Sequence, residues 1–431
     1  MIISVKNKVT NKKIIFLIGF VLMFLSFQYG LFFQTTDLHE KWSNFQQDSE
    51  SLVVGSIINE ILKQDNSTSL KLFSISTKKN PNLNNLDYYQ EVIDKLDKEE
   101  IINLKNQIEL TPYKSQFGLQ GLIWAKLSPY FDYSLDKLHA LSSGLFAISL
   151  LLMFYLYTRV IPNLTFFAFI CIFVCTLSPW TASIARNLYW VPFTWFLPSI
   201  LAMLIYKTKN LFVISFLLIL ISVCFLVKAL CGYEFLSFIV LLSITPLGYL
   251  FFTQSYNRKR IVLLMIFIIL FELIGFIIAL CIHAECRSGS ISSGLISIWE
   301  LDVKRRTFGE AEVFNAIYSD SLNSTITQVL WKYLGFAPYF SLILLASFLL
   351  VWAYRKTRKH LIKNIALMAF LQLLPPVSWY VLAKAHSYIH THINFVLMDF
   401  GFVPSLLLCI YVCIKLLWSE YKVQNPKITV H

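Results

Sequence analysis

Charge is what this 431-residue chain has least of: 14% of its residues are Asp, Glu, Lys or Arg, against 56% hydrophobic. That poverty excludes a soluble domain. A chain of this length has far more apolar surface than it can hide from water, so lipid must be part of its solvent. Acids are scarcer than bases, 25 against 37. The resulting formal charge of +12 does not point to nucleic acid, because no soluble stretch carries a basic stripe with interleaved aromatics. The eight cysteines form no Cys-x-x-Cys pair, and P-loop and nucleotide-fingerprint motifs are missing. No internal repeat is visible either, which weighs against transporters built from repeated halves.

What is there is a succession of apolar runs. The first, 14–33, follows Lys6, Lys8, Lys12 and Lys13, which hold the N-terminus in the cytoplasm. No small-residue cleavage site follows it, so it reads as an uncleaved anchor. Further spans are predicted at 138–157, 164–180, 188–206, 211–230, 233–252, 261–283, 338–354, 364–382 and 394–418. The expected fold is therefore all-α, a polytopic membrane helix bundle of about ten spans with a helical outward-facing first loop. Arg159, Lys207 and Lys209, Arg258 to Arg260, Arg355 to Lys363, and Lys415, Lys422 and Lys427 all fall on the side of the N-terminus. That asymmetry predicts cytoplasmic termini. Lys-, Asn-, Ile- and Phe-heavy usage agrees with an AT-rich bacterial genome and hence with a bacterial inner (plasma) membrane.

The expected divisions are residues 1–33 (cytoplasmic start and first span), 34–137 (long outward loop), 138–283 (bundle), 284–337 (second outward loop), 338–418 (C-terminal spans) and 419–431 (cytoplasmic tail). A first loop this long should carry structure and function of its own. It opens with Gln46-Gln47-Asp48-Ser49-Glu50, an acidic pair just outside the lipid. Acids at a segment end are commonly solvated charges; here they also suggest a catalytic carboxylate at the membrane surface. Asp37 and Glu40 form a rival pair. Residues 51–62 have apolar positions at helical spacing and predict an amphipathic helix lying in the interface. Residues 65–109, with a Lys79-Asn80-Pro81-Asn82 turn signal and an Asn66-Ser67-Thr68 sequon, read as a solvated excursion. In Gln116-Phe117-Gly118-Leu119-Gln120-Gly121 two glycines open a second half-buried helix, where backbone can approach a ligand.

The other ionisable groups gather at the outward face. Lys228 and Glu234 flank a tight connection, either as an ion pair or with the lysine set for a phosphate at headgroup depth. Arg186 lies in an aromatic belt, and arginine matches phosphate oxygens bidentately. Arg305 and Arg306 belong to the second outward loop and read as phosphate cations or as a solvated turn. Lys384, His386, His390 and His392 follow a late span. The histidines invite a metal reading, against which no helical register with matching acids is evident. Glu272 and Asp399, inside spans, suit an ion path or an interhelical hydrogen bond.

With these residues in view, the layout resembles the GT-C superfamily of membrane glycosyltransferases, which includes the protein mannosyltransferases and the aminoarabinose transferases. The matching features are a span with a cytoplasmic start, the Asp48-Ser49-Glu50 acids early in a long outward loop, Gln116 to Gly121 where relatives carry a second loop helix, and outward cations. The resemblance implies an inverting transfer from a polyprenyl-phosphate-linked sugar donor to a glycan, lipid or protein acceptor. Asp48 would be the base, Glu50 would orient the acceptor or a cation, and Arg186, Lys228, Arg305, Arg306, Lys384 and His386 would hold the donor phosphate. No cofactor is implied, and a divalent metal is left open. A lipid-linked glycan polymerase or ligase, and a multi-span transporter or flippase, are the alternatives.

Overall fold

The computed structural model describes residues 2–63, 69–77, 89, 108–161, 165–254, 256–308 and 323–424. The turn signal at Lys79 to Asn82 and the Asn66 sequon lie outside the described residues. The chain begins with α1 (Ile2–Tyr29), α2 (Thr36–Ser43), α3 (Gln47–Leu62), the strands β1 (Phe73–Thr77) and β2 (Ile108–Pro112), and α4 (Leu119–Leu127). It continues through α5 (Leu135–Val160), α6 (Thr165–Leu177), α7 (Pro179–Arg186), α8 (Leu197–Lys207), α9 (Leu211–Cys231), α10 (Leu236–Thr253) and α11 (Arg258–Ser288). It closes with α12 (Ile291–Ile298), a π-helical stretch Trp299–Phe308, α13 (Ile326–Leu334), α14 (Ala337–Thr357), α15 (His360–Leu382), the short α16 (Lys384–Ile389), α17 (Thr391–Asn394) and α18 (Val396–Asp399), and α19 (Phe402–Gln424).

Among the described residues seven helices are long and apolar enough to cross a membrane, namely α5, α9, α10, α11, α14, α15 and α19. The chain is an integral membrane protein, nearly all helical. The expected count of about ten spans is not reached among the described residues. The run at 164–180 breaks into α6 and α7, bent by 72°, and counting that pair as one span gives eight among the described residues. Pro179 cannot continue α6, and Ser178 Oγ instead caps α7 by accepting the Thr181 N–H at 3.1 Å. The run at 188–206 is interrupted by Pro192, leaving α8 with 11 residues. The apolar part of α1, Ile14–Tyr29, is also shorter than the seven. By contrast Pro375 and Pro376 sit inside an unbroken α15.

In lipid there is no hydrophobic gain from bringing two helices together, so close approach through small residues matters more. Gly275 of α11 supplies it: a Cβ there would collide with the Ser222 carbonyl of α9. Outward, α11 exposes Leu263, Ile266, Phe267, Leu270, Ile274 and Ile277 at helical spacing.

The bundle has two unlike ends. At one, Lys207 Nζ donates to the Arg159 carbonyl at 3.1 Å and Arg260 Nη2 to the Tyr206 carbonyl at 3.3 Å. Three of the expected basic segments thus meet at one end. From there α9 runs the length of the bundle to Cys231 and Gly232, where the remaining short elements collect. Here the structure adds what the sequence reading did not have. Two antiparallel strands pair Phe73 with Pro112 and Thr77 with Ile108, so the first loop is not purely helical. In α3, Val53 to Ile58 are all buried, packed against α4 and β1. Gly121 brings α4 against the Lys71 carbonyl, so this glycine allows backbone to meet backbone.

Candidate functional site

A cavity of about 510 Å³ opens at the end carrying these short elements. Its lining comes from across the chain. The start of α3 contributes Gln46, Asp48 and Ser49; the exit of β2, Tyr113; the segment after α7, Tyr189 and Trp190; and the turn after α9, Glu234. The π-helical stretch contributes Arg305 and Arg306, and the run of short helices His386, His390 and His392.

Asp48 is exposed in the first turn of α3, where the helix dipole favours a carboxylate. The helix begins from a strained residue: Gln46 has φ +53° without being glycine. Its conformation is held by Asn187 Nδ2, which donates to the Phe45 carbonyl at 3.0 Å, and by a contact of 2.9 Å between Gln46 Nε2 and His392 Nε2.

Glu50 points elsewhere. Its Oε1 accepts the Leu188 N–H at 2.9 Å and lies 2.9 Å from His139 Nε2. Arg186 Nη2 donates to His139 Nδ1 at 3.1 Å, which leaves Nε2 carrying the proton that His139 gives to Glu50. Arg186 is in turn stacked 4.4 Å over the Trp42 ring. Burial alone raises the Glu50 carboxyl, but His139, the Leu188 amide and the Arg186 charge outweigh it and hold the group below its ordinary value. The relay locks α3 to the loop after α7, and Glu50 does not line the cavity. Of the two acids of the Asp48-Ser49-Glu50 motif, Asp48 lines the cavity and Glu50 does not. Asp37 and Glu40 are both exposed on α2 and do not line it either.

The cations divide in the same way. Arg306 Nη1 lies 3.4 Å from Glu234 Oε1, so Glu234 pairs with Arg306. Burial works against the Arg306 charge, but Glu234, then Tyr113 and Asp302, raise its pKa above the ordinary arginine value. Arg305 Nη2 lies 3.6 Å from Asp302, which Arg287 Nη1 meets at 2.5 Å. The Arg305 guanidinium is lowered by burial and by the like charge of Arg306. These arginines form a packed ionic cluster, which corrects the solvated-turn alternative. Lys228 does not pair with Glu234 but donates to the Gly232 carbonyl at 2.7 Å, bracing the turn that presents Glu234. Arg186 belongs to the Glu50 relay, and Lys384 is half-buried at the start of α16. Of the expected phosphate ligands the cavity brings together Arg305, Arg306 and His386, and leaves out Arg186, Lys228 and Lys384.

The His386 and His390 rings lie 4.5 Å apart. Burial, then the neighbouring His390, Arg306 and Arg305, keep His386 well below the usual histidine value. Burial, His392 and Arg306 bring His390 down to about 4. Among the described residues no group of three or more His, Cys, Asp or Glu side chains is placed to hold a metal ion. Asp399 makes an interhelical knot, accepting from Ser178 Oγ at 2.5 Å, Thr181 Oγ1 at 3.3 Å and the Tyr339 hydroxyl at 3.3 Å. Glu272 is buried within α11 and lies away from the cavity lining. The sequence reading missed His139, whose partners are 89 residues before it and 47 after it.

The fold and site define an integral membrane protein with a polar cavity at one end of its bundle. Comparison with family models, with curated proteins and with solved structures returns no match.

Proposed function

We propose that the chain is a GT-C-like membrane glycosyltransferase that takes its sugar from a polyprenyl-phosphate donor at the outer face of the membrane. The observation that carries this reading is the composition of this cavity: the exposed carboxylate of Asp48, with Glu234 paired to Arg306, beside Arg305, Arg306, His386 and His390. Among the described residues Arg306 Nε and the Nδ1 atoms of His386 and His390 are buried without a hydrogen-bond partner. Orphaned buried groups are costly, and a bound phosphate offers them acceptor oxygens. The like charges of Arg305 and Arg306 side by side favour an added negative charge between them.

In this reading the acceptor oxygen attacks the anomeric carbon while Asp48 takes its proton. The bond from that carbon to the phosphate oxygen breaks, its electron pair leaves with the lipid phosphate, and the arginines and histidines stabilise the charge. The new glycosidic bond has inverted configuration. Since the donor is activated by its lipid, no nucleotide motif is needed.

Every such donor releases the same group, so the test does not depend on the sugar. Short-chain polyprenyl phosphate should bind the protein in nanodiscs. Arg306→Ala should weaken it by about 1.5–3 kcal/mol, roughly ten- to hundredfold. Failure of polyprenyl phosphate to bind, or equal affinity in Arg306→Ala, overturns the reading.

A further inference from the structure

A second cavity, of about 560 Å³, adjoins the first. Gln46, Asp48 and His392 line both, so the Gln46–His392 contact forms part of a shared wall and the Asp48 carboxylate is reachable from either side. The chemistry of the two differs. The first has the arginines and the paired histidines; in the second the lone cation is Lys41, exposed on α2. The second instead offers the half-buried Trp180 and Phe45 beside the amides of Asn44 and Gln47 and the hydroxyl of Ser183. Trp180 is fixed by packing, its ring centroid 5.2 Å from that of Phe395, and Gln47 Nε2 donates to Asn44 Oδ1 at 3.0 Å.

Rigid aromatic faces next to neutral amides suit a ligand with both C–H faces and hydroxyls. A pyranose is such a ligand. A phosphate finds its charge-matched partners in the first cavity, and a bare lipid chain would desolvate the amides of Asn44, Gln46 and Gln47 with nothing in return. We propose that the second cavity is the acceptor site and that the acceptor is a neutral carbohydrate, whose hydroxyl reaches Asp48 past the Gln46–His392 wall. This rests on the glycosyltransferase reading and names its acceptor class.

The test uses saturation-transfer NMR on the full chain in nanodiscs, with short oligosaccharides of mannose, glucose and N-acetylglucosamine as probes and an unglycosylated Ser/Thr-rich peptide as competitor. At least one oligosaccharide should receive saturation. Gln47→Ala and Trp180→Ala should each reduce it about fivefold, the worth of one neutral contact. Gln47 is at the start of α3, so its variant remains informative if Trp180→Ala does not fold. No transfer to any oligosaccharide, no change in the Gln47 variant, or displacement by the peptide overturns the proposal. Polyprenyl phosphate binding, measured on the same sample, separates the two readings. If it binds and no carbohydrate does, the acceptor assignment falls alone; if carbohydrate binds and polyprenyl phosphate does not, the transferase reading falls and the acceptor role with it.

Discussion

Asp48 and Glu50 stand two residues apart on one helix, and that spacing turns their side chains about 200° from each other. The consequence is a division of labour between an exposed carboxylate facing a cavity and a buried one holding the chain in place. Asp48→Asn keeps the size and removes the basicity, so transfer should fall by about two to four orders of magnitude with the protein still in the membrane. Asp37→Asn and Glu40→Gln, measured in the same assay, should stay near the parent rate; loss there with a normal Asp48→Asn would move the base to α2. The histidines carry a second prediction. His390 is brought down to about 4, so as pH falls through about 6.5 the unfolded chain takes up a proton that the folded one refuses. Its contribution to stability is whole above that pH and is lost on the way down to about 4. Thermal unfolding in nanodiscs should therefore shift to lower temperature over this window, and His390→Gln should flatten the shift. Part of the cavity lining was legible in the residues, since Asp48, Arg305, Arg306 and His386 are polar outliers in an apolar chain. The Glu50–His139–Arg186 relay was not, because its members are brought together only by the packing of α3, α5 and α7.

Elements with one strong local signal could be read from sequence, and elements that depend on a distant partner could not. The long spans follow from continuous apolar length. The strands β1 and β2 have five residues each and lie more than thirty positions apart, so neither announces its partner. At 164–180 the continuous apolar length predicts one span, whereas Ser178-Pro179 locally specifies a cap and a new helix start. The turn between α9 and α10 gives a prediction at this scale. Gly232 has φ +153°, and a Cβ there would strike both Glu234 Oε2 and Gln116 Oε1. Gly232→Ala should displace Glu234 and break its pairing with Arg306 inside the cavity wall. Polyprenyl phosphate affinity should then change along with the thermal midpoint, whereas unchanged affinity at a lowered midpoint would confine Gly232 to a structural role.

For the whole molecule, the two ends of the bundle assign opposite faces to the cavity and to the basic connections, and lipid makes that assignment consequential. A polyprenyl chain lies among the acyl chains while its phosphate stays at headgroup depth, so the proposed donor requires a cavity that opens at one interface. The positive-inside rule predicts that the Arg159, Lys207 and Arg260 end faces the cytoplasm, which would put the cavity outside. Cysteine substitutions in a cysteine-free background test this without reference to activity. Ser288, exposed where α11 ends near the cavity, should react with a membrane-impermeant maleimide in intact cells. Asn257, at the start of the same helix, and Lys356, near the end of α14, are also exposed and should react only after permeabilisation. The comparison of Ser288 with Asn257 is internal to one 31-residue helix, so a failure of expression affects both positions alike. Labelling of Asn257 from outside, with Ser288 protected, would invert the molecule and put the cavity in the cytoplasm. There it would face a compartment rich in nucleotide-activated sugars, and a lipid-linked donor at the outer leaflet would no longer be the chemistry its arginines and histidines meet.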